Sequence, residues 1–238
     1  MLPGTDITAT SADFTKPEVQ KTYGTFIHYY AKCTQYFAWV LFWLPFHGFY
    51  RAEIRGRENL KDVSAPVVII ANHIRFFDSF FFRFAFAGYP KLWPIRFMAV
   101  RKFFSSHLNF LNTIGIIPLV YGLFAVFLIN SVWDEKKPGE SLSKATTIIK
   151  SGDNVMIYPE GKIYSNDIVG PFRRGAAVLA QTNHVLVLPA SFRIVKDGSF
   201  RKHLYINIGK QITLPDNNTV EENTALLQKE VEVLFQKI

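Results

Sequence analysis

Three short stretches of the chain are almost continuously apolar and rich in β-branched residues. They are Val67-Val68-Ile69-Ile70-Ala71 behind Pro66, Asn154-Val155-Met156-Ile157-Tyr158, and Val185-Leu186-Val187-Leu188-Pro189-Ala190-Ser191. Runs of this length without polar alternation predict strands buried on both faces, as in a parallel sheet. Arg51 to Arg57 alternates polar and apolar residues in the manner of an edge strand. Arg96–Val100, a start at Phe192, and Leu204–Ile208 supply further strands. Helical patterns lie between them. Phe76–Phe86 holds seven phenylalanines in eleven residues, and Ser141–Ser151 is amphipathic and stopped by Gly152. Phe172–Ala180 opens on a basic pair, and Glu221–Lys237 spaces Leu226, Leu227, Val231 and Leu234 for one helix face. The expected fold is α/β, with a mostly parallel central sheet flanked by helices and an N-terminal membrane-interface helical segment.

That segment is set apart by its pattern. Residues 1–16 read as a loose polar arm, and Pro17 to Tyr50 is aromatic and apolar around Tyr36-Phe37-Ala38-Trp39-Val40-Leu41-Phe42-Trp43-Leu44-Pro45-Phe46. Eleven residues are too few to cross a bilayer, which takes about 20. Helices kinked or ended near Pro45 are expected instead to lie in the interface, with Tyr36, Trp39 and Trp43 at headgroup level and Lys32, Arg51 and Arg55 beside phosphates. The division is therefore 1–50 and 51–238. Phe103 to Trp133 carries no formally charged residue but is interrupted by Asn109, Asn112, Gly115, Pro118, Gly122 and Asn130. It reads as helix, buried strand and second apolar helix, with a true span from near Ile114 as the alternative.

Composition narrows the partners. A length of 238 residues suits one sizeable α/β domain with an appendage, and 49% hydrophobic residues with 23 Phe is rich for a soluble enzyme. A net charge of +8 points to an anionic partner. No basic helical run, zinc spacing or aromatic RNA-binding motif favours nucleic acid, so a membrane surface is expected and nucleic acid is not. The single Cys33 excludes an internal disulfide and fits a reducing compartment, and no cleavable signal peptide is expected at Met1-Leu2-Pro3-Gly4.

Candidate chemistry begins directly behind the first buried strand, at Asn72-His73-Ile74-Arg75-Phe76-Phe77-Asp78. Residues five apart meet on this framework only if His73 stands in the turn and Asp78 in the first turns of the following helix. Asp78 would then fix the His73 tautomer and leave the other ring nitrogen as a general base. A helix-capping Asn72 with an ordinary His and a surface Asp is the alternative. The second strand runs into Pro159-Glu160-Gly161-Lys162, and the helix after it opens at Phe172-Arg173-Arg174-Gly175. His28, His47, His107, His184 and His203 have no such companion in the sequence and read as surface or packing residues.

These blocks, in this order, resemble the glycerophospholipid acyltransferase family, whose best-known members acylate lysophosphatidic acid. The family pattern is Asn-His-x-x-x-x-Asp, a Pro-Glu-Gly-Thr-Arg block, an aromatic-basic-x-Gly helix start and a Val-Pro-type strand, and the resemblance covers roughly Ala52 to Leu214. Two departures stand out. Tyr121 falls where the family's Gly-x-x-Phe-x-x-Arg block would place an arginine, and Lys162-Ile163 replaces Thr-Arg.

The resemblance implies transfer of a fatty acyl group from a thioester to a lysophospholipid hydroxyl, with 1-acylglycerol-3-phosphate as the expected acceptor and His73 and Asp78 as the catalytic pair. Glu160, Gly161, Lys162, Arg173, Arg174 and Gly175 are the expected substrate-binding residues. Glu160 would meet acceptor hydroxyls or anchor a basic side chain, and the two arginines would reinforce an anion site at a helix N-terminus. No cofactor or metal is expected. The acyl donor is a thioester of coenzyme A or of acyl carrier protein, and the implied location is the cytoplasmic face of a membrane, bound without spanning it. A different lipid acceptor, a thioester hydrolase and a weakly active lipid-binding protein are the competing readings, although no Gly-x-Ser-x-Gly elbow is present.

Overall fold

The computed structural model describes residues 17–75, 78–100, 127–129, 139–164, 168–196 and 198–238. The polar arm, the helix start expected at Arg101, Tyr121 and all but three residues of the uncharged 103–133 stretch lie outside the described residues.

Seven strands form one sheet: β1 (Tyr50–Arg55), β2 (Val68–Ala71), β3 (Ile95–Val100), β4 (Phe127–Ile129), β5 (Asn154–Ile157), β6 (Val187–Val195) and β7 (Lys202–Ile208). Their spatial order is β1-β7-β6-β2-β5-β3-β4. Every neighbouring pair is parallel except β6 and β7, which form an antiparallel hairpin. The alternating segment at Arg51 is the edge strand its pattern predicts. The apolar run from Val187 and the start at Phe192 are instead one strand of nine residues, with Val185 and Leu186 ahead of it. Ser191 is fully buried within it, so the polar residue does not break the strand.

The continuous apolar runs are explained by two cores. Val67, Ile69, Ala71, Met156 and Leu188 point to one face, and Val68, Ile70, Val155, Ile157 and Val187 to the other. The first face is covered by α1 (Pro17–Phe49) and α2 (Asp78–Ala85), the second by α3 (Glu140–Lys150), α4 (Gly175–Asn183) and α5 (Val220–Gln236). Four phenylalanines of the Phe-rich block, Phe81, Phe82, Phe84 and Phe86, are buried core. Phe84 stacks on Phe46 of α1 with ring centroids 3.7 Å apart. Thr219 and Glu222 form a reciprocal capping box at the start of α5.

α1 departs from expectation. It is one helix of 33 residues that runs through Pro45 to Phe49, rather than helices broken at the proline. Pro45 falls in the last turns, where only one carbonyl loses its partner. Trp39 packs against the first core, while Tyr36 and Trp43 remain exposed. Among the described residues no helix is long and apolar enough to cross a membrane.

Side-chain amides extend the sheet's hydrogen bonding, Gln35 and Asn72 among them. The Gln35 amide of α1 donates to the Ile95 carbonyl at 2.5 Å and accepts the Ile95 N–H at 3.1 Å. Past the end of β2, Asn72 donates to the Phe192 carbonyl and accepts the Phe192 N–H, both at 2.9 Å. α1 is further tied down by His28, whose Nδ1 meets Asp153 just before β5, and Asp153 also pairs with Arg96 at 2.7 Å. His28 therefore does have an acidic partner, contrary to its solitary look in the sequence. The pair is on the far side of β5 from Glu160, since Asp153 precedes the strand and Glu160 follows it.

Candidate active site

β2 and β5 lie side by side and parallel, with Ile70 opposite Ile157. Their carboxyl ends therefore deliver His73 and Glu160 to one place, the crevice that open α/β sheets use for ligands.

His73 is fixed at four points. Its Nδ1 lies 2.9 Å from Asp78 Oδ2, its N–H donates to Glu160 Oε2 at 2.8 Å, and its carbonyl accepts the Tyr164 N–H at 2.8 Å. Its ring stacks on Tyr158, with centroids 4.2 Å apart and planes 12° from parallel. The side chain keeps 20% exposure. With Nδ1–H donating to the carboxylate, the Nε2 lone pair makes no hydrogen bond among the described residues.

Asp78 is wholly buried as the first residue of α2. Its Oδ2 also accepts the N–H groups of Ile74 at 2.8 Å and Arg75 at 2.7 Å. Burial pushes its pKa up, and the bonds from His73 and the two backbone groups oppose that rise. The carboxylate thus holds both the turn and the imidazole, which excludes the alternative of a surface aspartate.

Glu160 is 1% exposed. Its second oxygen accepts the Gly170 N–H at 2.7 Å, so both oxygens are committed to backbone donors, at His73 and at Gly170. Burial raises its pKa to about 7 against those two bonds. The sequence suggests a role in meeting acceptor hydroxyls or anchoring a cation; the geometry instead makes Glu160 a strut between the His73 turn and the loop after β5. The N–H groups of His73, Ile74 and Arg75 are all taken, so none of them is open to an oxyanion.

Gly161 has φ of +67°, and a Cβ there would lie 2.9 Å from the Arg173 guanidinium. The missing side chain lets that guanidinium lie over the turn, while the Arg173 N–H donates to the Pro159 carbonyl at 2.9 Å. Lys162 is exposed and sits 4.7 Å from the centre of the Tyr164 ring. Arg174 turns away to an exposed ion pair with Glu221 of α5, at 3.0 Å. Gly175 begins α4, with only Leu142 near its Cβ position, at 3.9 Å. The structure thus gathers His73, Asp78, Glu160, Gly161 and Arg173 but sends Arg174 elsewhere. Among the described residues no cluster of three or more His, Cys, Asp or Glu could hold a metal ion.

Tyr158, Tyr164 and Gly170 are additional parts of the site. Tyr158 carried a usable signal, an aromatic residue between a buried strand and Pro159; Gly170 carried none, because it contributes only a backbone N–H.

Residues 51–193 match the family described as Acyltransferase, and the chain belongs to that family. It is 26% identical over 148 residues to the chloroplastic 1-acyl-sn-glycerol-3-phosphate acyltransferase BAT2 of Brassica napus, covering 61% of this chain and 38% of that protein. Against the human 1-acyl-sn-glycerol-3-phosphate acyltransferase beta the identity is 28% over 142 residues, covering 60% of this chain and 46% of that one. The chain thus aligns to less than half of the length of these relatives. Among solved structures it resembles the 1-acyl-sn-glycerophosphate acyltransferase PlsC of Thermotoga maritima, with a TM-score of 0.57 and 15% identity, over 96% of this chain and 83% of that one. That likeness concerns the fold.

Proposed function

We propose that the protein transfers a fatty acyl group from an acyl thioester to the free hydroxyl of a lysophospholipid, with 1-acylglycerol-3-phosphate as acceptor. The observation that carries this reading is the His73–Asp78 pair, held at four points and with no hydrogen bond to Nε2 among the described residues. A hydroxyl is a poor nucleophile at neutral pH and needs a base as it attacks. His73 Nε2 takes the hydroxyl proton, the oxygen bonds to the thioester carbonyl carbon, and the resulting imidazolium is stabilised by Asp78. Collapse of the tetrahedral intermediate breaks the carbon–sulfur bond, and the imidazolium returns its proton to the thiolate. No cofactor enters these steps; coenzyme A or acyl carrier protein is the carrier of the donor. The acceptor phosphate is met by Arg173 above Gly161 and by Lys162. Ile163 stands exposed where the family pattern has an arginine, and an ammonium gives Lys162 no bidentate fork. The grip on phosphate is therefore weaker than that pattern would provide.

The same reading places the protein on a membrane. The outer side of α1 exposes Phe26, Phe37, Val40, Leu41, Trp43 and Leu44, an apolar stripe suited to lying in a lipid interface. Purified protein incubated with a labelled acyl thioester and a panel of lysolipids tests the proposal. Labelled diacyl product from the parent, reduced about a hundredfold or more in His73→Ala, is expected. Free fatty acid alone would make the protein a thioester hydrolase, and full activity in His73→Ala would remove the assigned base.

A further inference from the structure

The hairpin joining β6 to β7 ends in an uncovered phenylalanine. Phe200 is 80% exposed, more than any other large hydrophobic side chain among the described residues. It belongs to the sequence Lys196-Asp197-Gly198-Ser199-Phe200-Arg201-Lys202, with three cations and one acid. Its nearest aromatic companion is Phe49, the last residue of α1 and itself 54% exposed, with ring centroids 5.8 Å apart. Two of the cations are held just behind the ring. Arg201 donates to the Tyr50 carbonyl at 2.9 Å, and Lys202 Nζ lies 6.0 Å from the centre of the Tyr50 ring. Lys196 is exposed.

The hairpin stands at the active-site end of the sheet. β6 continues five residues past Ala190, the partner of Ala71 at the end of β2. Its tip therefore projects roughly 16 Å beyond the strand end that leads to His73. Tyr50, which contacts both cations, lies close enough to the site for Arg75 and Asp78 to act on its hydroxyl.

We infer that this hairpin is a membrane wedge: Phe200, with Phe49, enters the apolar edge of an anionic phospholipid bilayer while Lys196, Arg201 and Lys202 meet the phosphates. An apolar tip collared by cations matches the layering of such a bilayer, in which phosphates lie above the acyl region. A stable protein partner would need about 800 Å² of matched surface on this side, far more than two rings present. The net charge of +8 adds long-range attraction to the same surface. The wedge turns the carboxyl-end face of the sheet toward the membrane, a placement that α1 alone leaves open to rotation about its axis. The inference goes beyond the reading above and does not depend on acyl transfer.

The test is cosedimentation of the full chain with vesicles of phosphatidylcholine alone and of phosphatidylcholine with phosphatidylglycerol. The parent should bind the anionic vesicles more tightly. Phe200→Asp should weaken that binding about tenfold, the expected loss for withdrawing one buried phenyl group, with an unchanged circular dichroism spectrum. Phe200→Leu should stay within about threefold of the parent, and Lys196→Glu with Lys202→Glu should abolish the preference for anionic vesicles. Undiminished binding by Phe200→Asp, while Leu44→Asp releases the protein, would assign the contact to α1 alone and overturn the wedge. Equal binding of the parent to both vesicle types, or binding to neither, overturns it as well.

Discussion

Glu160→Gln separates a strut from a substrate ligand. Ionised, Glu160 accepts the N–H of His73 at 2.8 Å and that of Gly170 at 2.7 Å, one on each oxygen. Glutamine keeps one acceptor oxygen and turns an NH2 group toward the other donor, so one buried N–H loses its partner and faces a second donor. An unsatisfied buried group costs about 1–3 kcal/mol, and the surviving bond loses its charge assistance. Against this, burial raises the parent's carboxyl to about 7, so keeping it ionised in the fold costs about 3 kcal/mol. The parent therefore has this group's full contribution below about pH 4.5 and loses it as pH rises through 7. Glutamine does not titrate, so the variant should compare least well with the parent at pH 5 and best at pH 8. For activity, freeing the His73 turn lets the imidazole wander, and about 1 Å of misplacement is worth about a hundredfold. Steady-state kinetics at pH 8 should show kcat reduced about 10- to 100-fold, with both Michaelis constants within about threefold. A raised acceptor Michaelis constant with unchanged kcat would refute the argument, because it would mean that Glu160 touches the acceptor.

The neighbouring loop gives two further tests. Gly161→Ala forces a side chain into φ of +67° and against the Arg173 guanidinium; it should cost about 1–3 kcal/mol in denaturant unfolding and raise the acceptor Michaelis constant. Arg173→Ala should raise that constant about tenfold or more, the value of one charge-assisted contact, whereas Arg174→Ala should leave it within about twofold, since its guanidinium is occupied with exposed Glu221. Equal effects of the two arginine variants would contradict the placement of Arg174.

The strands and the His73–Asp78 pair were legible because each rests on a local regularity. Val68 and Ile70 face one core and Ile69 and Ala71 the other, so the run must be apolar throughout. Strand, turn and helix follow one another in sequence, so a five-residue spacing could be converted into a contact. Contacts made by the backbone left no such trace. Glu160 reads as a substrate ligand because its partners are N–H groups that nearly every residue owns. Arg174 reads as part of an anion site because nothing in the sequence near it announces Glu221, 47 residues away. His28 looks solitary in the sequence for the same reason, its partner Asp153 lying 125 positions along the chain. The continuity of α1 through Pro45 was hidden too, since a proline stops a helix or is tolerated according to what packs around it; here Phe46 is seated on Phe84 and Phe81.

Gln35 and Asn72, both side-chain amides that extend the sheet's bonding, differ in what holds them. Asn72 follows its own strand directly, so its bonds to Phe192 break only if the sheet itself opens. Gln35 belongs to α1, so the Ile95 N–H is shielded only while that helix is seated. Hydrogen–deuterium exchange at these two amide protons therefore reads separate events in one molecule. Exchange at Phe192 tracks global unfolding, and faster exchange at Ile95 alone measures how often α1 lifts away from an otherwise intact sheet.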